Sequence, residues 1–292
     1  MLDWITEPLE FAFFRNGLMV ATMAGALCGL IGVYVTLRGM SYIGHGLSHA
    51  IFGGAAASAL VGFNFYLGAA LWGMASALAI GRVTRRRIIG SDAAIGVITT
   101  ASFAFGIALL GLYGQVRQSI DAAIFGSVLG VSVADVWVVA GITVAAVIVV
   151  LAFYRKLLFT TFDPEVADVS GVNTARMDAL LMLLLSVSIL ATMKVLGVVL
   201  IAAILVIPAV VARMLTNRFS RMLWLSTLIG ALCGFAGMIL SYHLDVSSGA
   251  TIVLVGALLF AVVFAVTGPR GRSRAAGIDA HDAPALAGLP VR

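Results

Sequence analysis

The sequence predicts an all-α fold, a polytopic bundle of transmembrane helices. Of the 292 residues, 62% are hydrophobic and 11% are charged, whereas soluble domains average roughly 25% charged residues. The mean hydropathy is +1.12. Apolar runs of about 20 residues, each long enough to cross a hydrocarbon core of roughly 30 Å, recur along the chain. A soluble domain could not bury this much apolar surface.

Charged breaks between the apolar runs divide the chain into about nine spans. Eight or ten spans would also fit, because the break at 195–197 is short and the segment 114–133 contains a short apolar piece, AAIFGSVLGV. The nine predicted spans lie near 13–37, 41–62, 67–83, 93–113, 134–153, 178–195, 197–216, 222–242 and 249–267. Residues 1–267 are therefore predicted to form a transmembrane domain. Residues 268–292, rich in Gly, Ala, Pro and Arg, are predicted to form a disordered cytoplasmic tail.

Lys and Arg residues are distributed unequally between the two sides of this topology. Fifteen of the eighteen fall on one side, and cytoplasmic loops carry such an excess. The C-terminus is therefore predicted in the cytoplasm and, with nine spans, the N-terminus outside. The formal net charge of +5 reflects this orientation in the membrane, and we expect no nucleic-acid partner.

Two histidines four residues apart, His45 and His49, lie within the second predicted span. On an α-helix this spacing places both imidazoles on one face. All thirteen Asp and Glu residues fall in loops, tails or span edges, so the pair is predicted to be alone at its depth. Ionisable side chains inside a membrane are costly and usually face a polar pathway. The pair is therefore predicted to line the path of a metal ion, with a hydrogen-bonded packing role as the alternative.

Sequence motifs for hydrolysis are absent from the chain. A zinc protease needs Glu directly after the first His of the pair, and this chain has Gly46 there. No GxSxG elbow and no GxxxxGK[ST] phosphate-binding loop occurs. The chain is therefore predicted to be a transport subunit and not an enzyme. If ATP drives transport, its hydrolysis takes place on a separate partner subunit.

The largest predicted cytoplasmic loop contains a short helix. Asp163 is suited to the N-cap, Pro164 to the first helical position, and Glu165 to the first turn. Ala167 lies within the helix, and Gly171 can end it. Docking on a soluble partner and lying on the membrane surface are both consistent with a helix of this composition.

Small residues at i and i+4 predict close helix–helix contacts in three spans. They are Gly25 and Gly29; Gly46, Ala50 and Gly54; and Gly230 and Gly234.

The chain resembles the membrane permease subunit of the bacterial zinc/manganese/iron ABC importers. The matching stretches occur in family order and cover most of residues 15 to 267. They are LCGLIGVYVTLRGMSYIGHGLSHAIFGG, SDAAIGVI, IFGSVLGVSVAD, FDPEVADVSGV, MKVLGVVLIAAILVIPAVVAR and SYHLDVSSGA.

This resemblance implies several partners and a location. It implies a permease homodimer in the bacterial plasma (inner) membrane, cytoplasmic ATP-binding subunits and an extracytoplasmic metal-binding protein that delivers the ion. It also implies that the helix around residues 163–171 couples the permease to the ATPase. No permanently bound cofactor is expected, because the metal ion is the cargo.

The resemblance also bears on the identity of the metal. Family members commonly carry Asp, then His four residues later, on the second span, and here His45 stands at the Asp position while His49 matches. Imidazole suits zinc, whereas manganese prefers oxygen ligands. Zinc is therefore the predicted cargo, with manganese or iron as the alternative if selectivity resides in the delivery protein.

Further polar residues are candidates for contact with the ion. Asp245, with His243 beside it, lies in an extracytoplasmic turn where the family often has Asp; it is predicted to contact the entering ion or the delivery protein, or else to be a turn residue. Thr99, Thr100 and Ser102 could line the path, although hydroxyl groups in membrane helices commonly bond to their own backbone.

Two functions of other classes compete with this prediction. A stand-alone secondary metal transporter would work without an ATPase, but it would usually use intramembrane carboxylates for ion coupling. An intramembrane metalloenzyme is disfavoured because no general base accompanies the histidines.

Overall fold

The computed structural model describes residues 6–60, 62–86, 89–113, 126, 130–197 and 200–286. These residues form a short 3-10 turn, Glu7–Glu10, and eleven α-helices with no strand among them. The helices are α1 (Ala12–Leu37), α2 (Ile43–Leu60), α3 (Phe65–Arg85), α4 (Ser91–Tyr113), α5 (Val133–Ala152), α6 (Tyr154–Phe162), α7 (Pro164–Val169), α8 (Thr174–Leu196), α9 (Ile201–Leu215), α10 (Phe219–Leu244) and α11 (Ser248–Leu286). The predicted all-α helical bundle is confirmed.

Nine of these helices lie where the apolar runs predict spans. Within the described part of the chain, seven are long and apolar enough to cross a membrane. The other two are α2, whose histidines lower its hydropathy, and α9, which has 15 residues. The number of complete crossings therefore lies close to the predicted nine.

Helix α1 forms the centre of the bundle, and 78% of the residues in its apolar stretch are buried. It packs along α10 and also contacts α5, α8 and α9. Gly25 lies against the backbone of Gly230, and the Ser226 hydroxyl donates a hydrogen bond of 2.6 Å to the carbonyl oxygen of Gly29. The predicted small-residue faces therefore do bring these two helices into backbone contact.

A second group of helices consists of α2, α3 and α4, with α2 packed against both neighbours. Gly53 of α2 lies against the backbone of Ser102 and of Gly106 in α4. Helix α8 connects the two groups, because it contacts α1, α2 and α3. The histidine helix is therefore held closely to α4, whose other faces are largely exposed in the single chain.

The short helix α7 forms as its sequence predicts. The Asp163 carboxylate accepts a hydrogen bond from the Val166 amide at 2.9 Å, and Pro164 occupies the first turn. Gly171 has φ of +81°, in the left-handed region. Its amide donates to the Asp168 carbonyl and the Val172 amide donates to the Ala167 carbonyl, a pairing that closes a helix C-terminus.

A charged network joins the ends of several helices on the side of the bundle where α7 lies. Arg38, after α1, forms an ion pair of 2.6 Å with Asp178 in α8, and Arg85 at the end of α3 reaches the other Asp178 oxygen at 3.2 Å. Arg85 also donates to the Thr174 hydroxyl, which donates to Asp168 of α7. Helix α7 is therefore connected by side chains to the ends of three long helices.

The C-terminal helix extends beyond the end of the last predicted span. The main chain of α11 is helical as far as Leu286, whereas composition predicts disorder from residue 268. The apolar stretch that fits a membrane span is Ser248–Thr267. The division at residue 267 stays a prediction, and most of the segment 114–133 lies outside the described residues.

Candidate metal path

The two histidines lie together on α2, as their spacing predicts. Their ring centroids are 4.5 Å apart and the ring planes meet at 84°. The Ser48 hydroxyl donates a hydrogen bond of 2.8 Å to the His45 carbonyl. The pair forms one imidazole surface spanning a helical turn.

Helix α4 provides the opposite wall of this site. The His49 ring packs against Phe103, with ring centroids 4.8 Å apart. Gly46 allows this approach, because a β-carbon there would lie 2.8 Å from the Thr99 side chain and 2.9 Å from that of Ile95. The two helices enclose a cavity of about 330 Å³ that both histidines line.

The Nδ1 atom of His49 is buried and has no hydrogen-bond partner among the described residues. A buried polar atom without a partner is costly, so such atoms usually have a role or an absent partner. An imidazole nitrogen is a ligand for transition metals. The unpartnered Nδ1 atom shows no hydrogen bond of the kind that a packing role would use, and contact of His49 with a passing ion stays a prediction.

The cavity is open on one side of the chain. His45 is exposed, His49 is partly exposed, and Tyr42 at the cavity edge is 69% exposed. A polar face like this would be unfavourable against lipid. In the single chain the histidine pair therefore lacks a protein cover on this side.

The hydroxyl groups of α4 bond mainly to their own helix. Thr99 donates to the Ile95 carbonyl at 2.7 Å, and Ser102 donates to the Ile98 carbonyl at 2.8 Å. Thr99 and Thr100 nevertheless line the cavity. Backbone bonding of these hydroxyls is the alternative that the sequence left open, and Thr99 and Ser102 show it.

Two residues of the site were missed from the sequence, Phe103 and Asp92. Both line the cavity beside the histidines. Asp92 is the second residue of α4 and appears in the sequence as a carboxylate at a span edge. A useful signal was its position in the SDAAIGVI stretch, which carries part of the family resemblance. Among the described residues, no three His, Cys, Asp or Glu side chains are close enough to hold one metal ion together.

The two candidates predicted to be extracytoplasmic, His243 and Asp245, lie at the C-terminal end of α10. Asp245 adopts a left-handed backbone with φ of +51° and caps that helix, a conformation that Asp tolerates better than most residues. His243 lies in the last turn, with its ring 5.3 Å from that of Tyr242. The turn role of Asp245 has a structural basis, and contact with an ion or delivery protein stays a prediction.

The surface of α7 is divided between buried and exposed positions. Ala167 is fully buried, whereas Val166 is 48% exposed and Val169 is 92% exposed. Pro164 and Glu165 line a cavity of about 640 Å³ that also includes Arg38 and Asp178. The helix thus has one face anchored to the bundle and one apolar face without cover in the single chain.

Known proteins are similar to this chain over most of its length. The model of the ABC 3 transport family matches residues 10–267. The manganese transport system membrane protein MntC of Halalkalibacterium halodurans is 39% identical over 88% of each chain. A relative from Haemophilus influenzae, named "Probable iron transport system membrane protein", is 34% identical over 91% of this chain and 97% of its own.

A solved structure has the same architecture. A chain of PsaBC from Streptococcus pneumoniae in complex with Fab superposes with a TM-score of 0.80 at 32% identity. The match covers 90% of this chain and 95% of the other.

Proposed function

Because the chain belongs to the ABC 3 transport family, we propose that it is the membrane permease subunit of an ATP-driven importer for a divalent transition metal, manganese or iron. The observation that carries this proposal is the unpartnered Nδ1 atom of His49, held beside His45 in a cavity within a helical bundle. Imidazole nitrogens are ligands for divalent transition-metal cations.

The choice of metal departs from the zinc prediction. That prediction rested on one substitution, imidazole in place of a carboxylate at His45. Relatives with 39% and 34% identity are named for manganese and for iron transport. Their names favour manganese or iron over zinc. The imidazole at position 45 does not oppose this choice, because selectivity need not reside in a single ligand of a path that holds the ion only transiently.

The exposed edge of the cavity supports a permease homodimer. In one chain His45 and Tyr42 face outward, where lipid would leave the imidazole without a polar partner. A second copy across this face would enclose the cavity and bring a second histidine pair to it. The ion would then pass between two copies and be held briefly by His45 and His49 of each.

The charged cytoplasmic network supports a coupling role for α7. Its side chains run from Asp168 through Thr174 and Arg85 to Asp178 and Arg38. A displacement of α7 by a cytoplasmic ATP-binding subunit would reach the ends of α1, α3 and α8 through these bonds. Helix α3 packs on α2, so the movement extends to the histidine helix.

The remaining parts of the proposal concern orientation and delivery. The Lys and Arg distribution supports a cytoplasmic C-terminus and an outside N-terminus in a plasma membrane. An extracytoplasmic metal-binding protein would deliver the ion at the opposite end, where His243 and Asp245 lie. ATP hydrolysis would take place on the partner subunit.

The direct test is metal uptake into proteoliposomes that contain the chain, its ATP-binding subunit and its delivery protein. We expect Mn²⁺ or Fe²⁺ to accumulate only when MgATP is supplied on the cytoplasmic face, because the chain has no nucleotide site of its own. Accumulation without the ATP-binding subunit would instead indicate a secondary transporter. Zn²⁺ accumulation in preference to both other ions would overturn the assignment of the cargo.

A second prediction concerns the exposed apolar face of α7. Changing Val169 to Asp should abolish the stimulation of ATPase activity by the permease, because a charge would replace an apolar docking contact. The 92% exposure of Val169 means that the thermal unfolding midpoint should stay unchanged. The measurement is ATP hydrolysis in the reconstituted complex.

The matched control for this prediction is Val138→Asp on α5, which is also exposed at 58% but lies within a predicted span. That change should impair membrane insertion. If Val169→Asp behaves in the same way, with normal coupling of the remaining inserted protein, α7 lies on the membrane surface instead of docking the partner.

A further inference from the structure

The cavity beside the histidines contains a carboxylate that the proposed path does not yet use. Asp92, in the first turn of α4, lines the same cavity of about 330 Å³ as His45 and His49. Its side chain is exposed and makes no hydrogen bond or ion pair within the part of the chain that the structure describes. Stabilisation of the helix N-terminus by a negative charge is an alternative reason for an Asp at this position. That alternative does not explain why Asp92 lines the same cavity as the two histidines.

The packing of α2 on α4 defines the depth of Asp92. Gly46 lies against Thr99 and Ile95, so these residues are at the level of the first histidine. Asp92 precedes Ile95 by three residues, about 4.5 Å along the helix axis at 1.5 Å per residue. Both helices run in the same direction, and the proposed orientation puts their first residues toward the cytoplasm. From outside to inside, the order is His49, His45 and Asp92.

The three side chains do not form one chelating site. No three potential ligands lie close enough together among the described residues. Successive weak positions are what conduction requires, because an ion held by all ligands at once would not be released. A carboxylate also provides the oxygen ligand that Mn²⁺ prefers and that an imidazole pair lacks.

We propose that Asp92 is a second ion-contact position, on the cytoplasmic side of the histidine pair, that receives the divalent cation from His45 and favours Mn²⁺ over Zn²⁺. This inference rests on the proposed function of the histidine pair as the transport path. It explains how a path with imidazole at position 45 retains an oxygen ligand for a hard cation. Nothing in the step changes covalent bonds, since the ion exchanges an imidazole nitrogen and water for carboxylate oxygen.

The experiment measures Mn²⁺ uptake, with Zn²⁺ as competitor, in cells that carry the whole importer and lack other manganese uptake. Asp92→Asn should lower Mn²⁺ uptake about tenfold, a loss of the size seen when groups that support a metal site are removed. It should also lower the Zn²⁺ concentration that inhibits uptake. Asp92→Glu, which keeps the carboxylate, should retain most uptake and the wild-type competition.

Two further variants separate this proposal from a structural role and from failure of the path itself. Asp135 is also in the first turn of a helix, where it forms a capping box with Ser132. Asp135→Asn should lower the thermal unfolding midpoint without changing the Mn²⁺-to-Zn²⁺ competition. The same competition change in Asp135→Asn and Asp92→Asn would overturn the proposal.

The outcome for His49→Ala identifies which inference has failed. Loss of uptake in His49→Ala, together with wild-type uptake and competition in Asp92→Asn, would overturn the role of Asp92 alone. Wild-type uptake in His49→Ala would overturn the path on which both depend. Equal losses in Asp92→Asn and Asp92→Glu with a lowered unfolding midpoint would show a structural residue and overturn the proposal as well.

Discussion

Replacing His49 with Ala should reduce metal uptake by the assembled importer about 10- to 100-fold. This is the loss expected when a group that supports a metal ligand is removed, and a direct ligand should matter at least as much. The substitution removes the imidazole whose Nδ1 atom is buried without a partner, and it leaves His45 with no second nitrogen on its helical face. Uptake of radioactive Mn²⁺, normalised to the amount of permease in the membrane, measures the effect. The ATPase activity without metal should change little, because α7 is distant in sequence and its contacts are intact.

The control for His49→Ala is His281→Ala, the same change at a histidine in the C-terminal tail. It should leave uptake at the wild-type value. If His49→Ala also transports like wild type at equal membrane levels, the pair has only a packing role. The small apolar cavity left beside Phe103 would then be the main consequence, visible as a lower unfolding midpoint.

Changing Gly25 to Val should have the largest effect on stability. A β-carbon at Gly25 would lie 2.7 Å from the carbonyl carbon of Gly230 and closer still to its oxygen, so α1 and α10 would have to separate. Overpacking of this kind costs about 1–3 kcal/mol and sometimes more. The central position of α1 extends the disturbance to α8 and α9. The loss of stability is measured as the lower temperature at which the purified permease unfolds in detergent, with aggregation as the readout.

The matched control is Gly141→Val in α5. A β-carbon there meets nothing within 4 Å, so the same residue change tests helix propensity and lipid exposure without a backbone clash. We expect an unfolding midpoint close to that of wild type. A Gly25→Val protein as stable as the Gly141→Val protein would mean that α1 and α10 are not in backbone contact.

Much of the local structure could be predicted from the residue pattern. The apolar runs predict the positions of nine helices, since crossing a bilayer demands a minimum run of apolar residues. Within the described part of the chain, seven of them are long and apolar enough to cross a membrane. The α-helical period places His45 and His49 on one face, and the Asp163-Pro164 pair together with Gly171 predicts the start and end of α7. These features depend on residues within a few positions of each other, so the chain alone specifies them.

The cavity and the charged network depended on contacts between distant segments. Arg38 and Asp178 are 140 residues apart, and no local pattern pairs them. Phe103 and Asp92 appear in the sequence as an ordinary apolar residue and a span-edge acid. Their place beside the histidines follows from the register of α4 on α2. Gly53 permits backbone contact between the two helices, and Gly46 makes room for the side chains of Thr99 and Ile95.

The zinc prediction also rested on a local pattern and left out contacts between distant segments. Ligand chemistry was inferred from two adjacent turns of one helix, where both available groups are imidazoles. The packed helices add a carboxylate from another span to the same cavity. Span positions, the paired histidines and the short helix α7 were thus encoded in short-range patterns. The lining of the histidine cavity was decided by helix packing, because the wall opposite the histidines comes from a helix about 50 residues further along the chain, and helix periodicity carries no information about which faces meet.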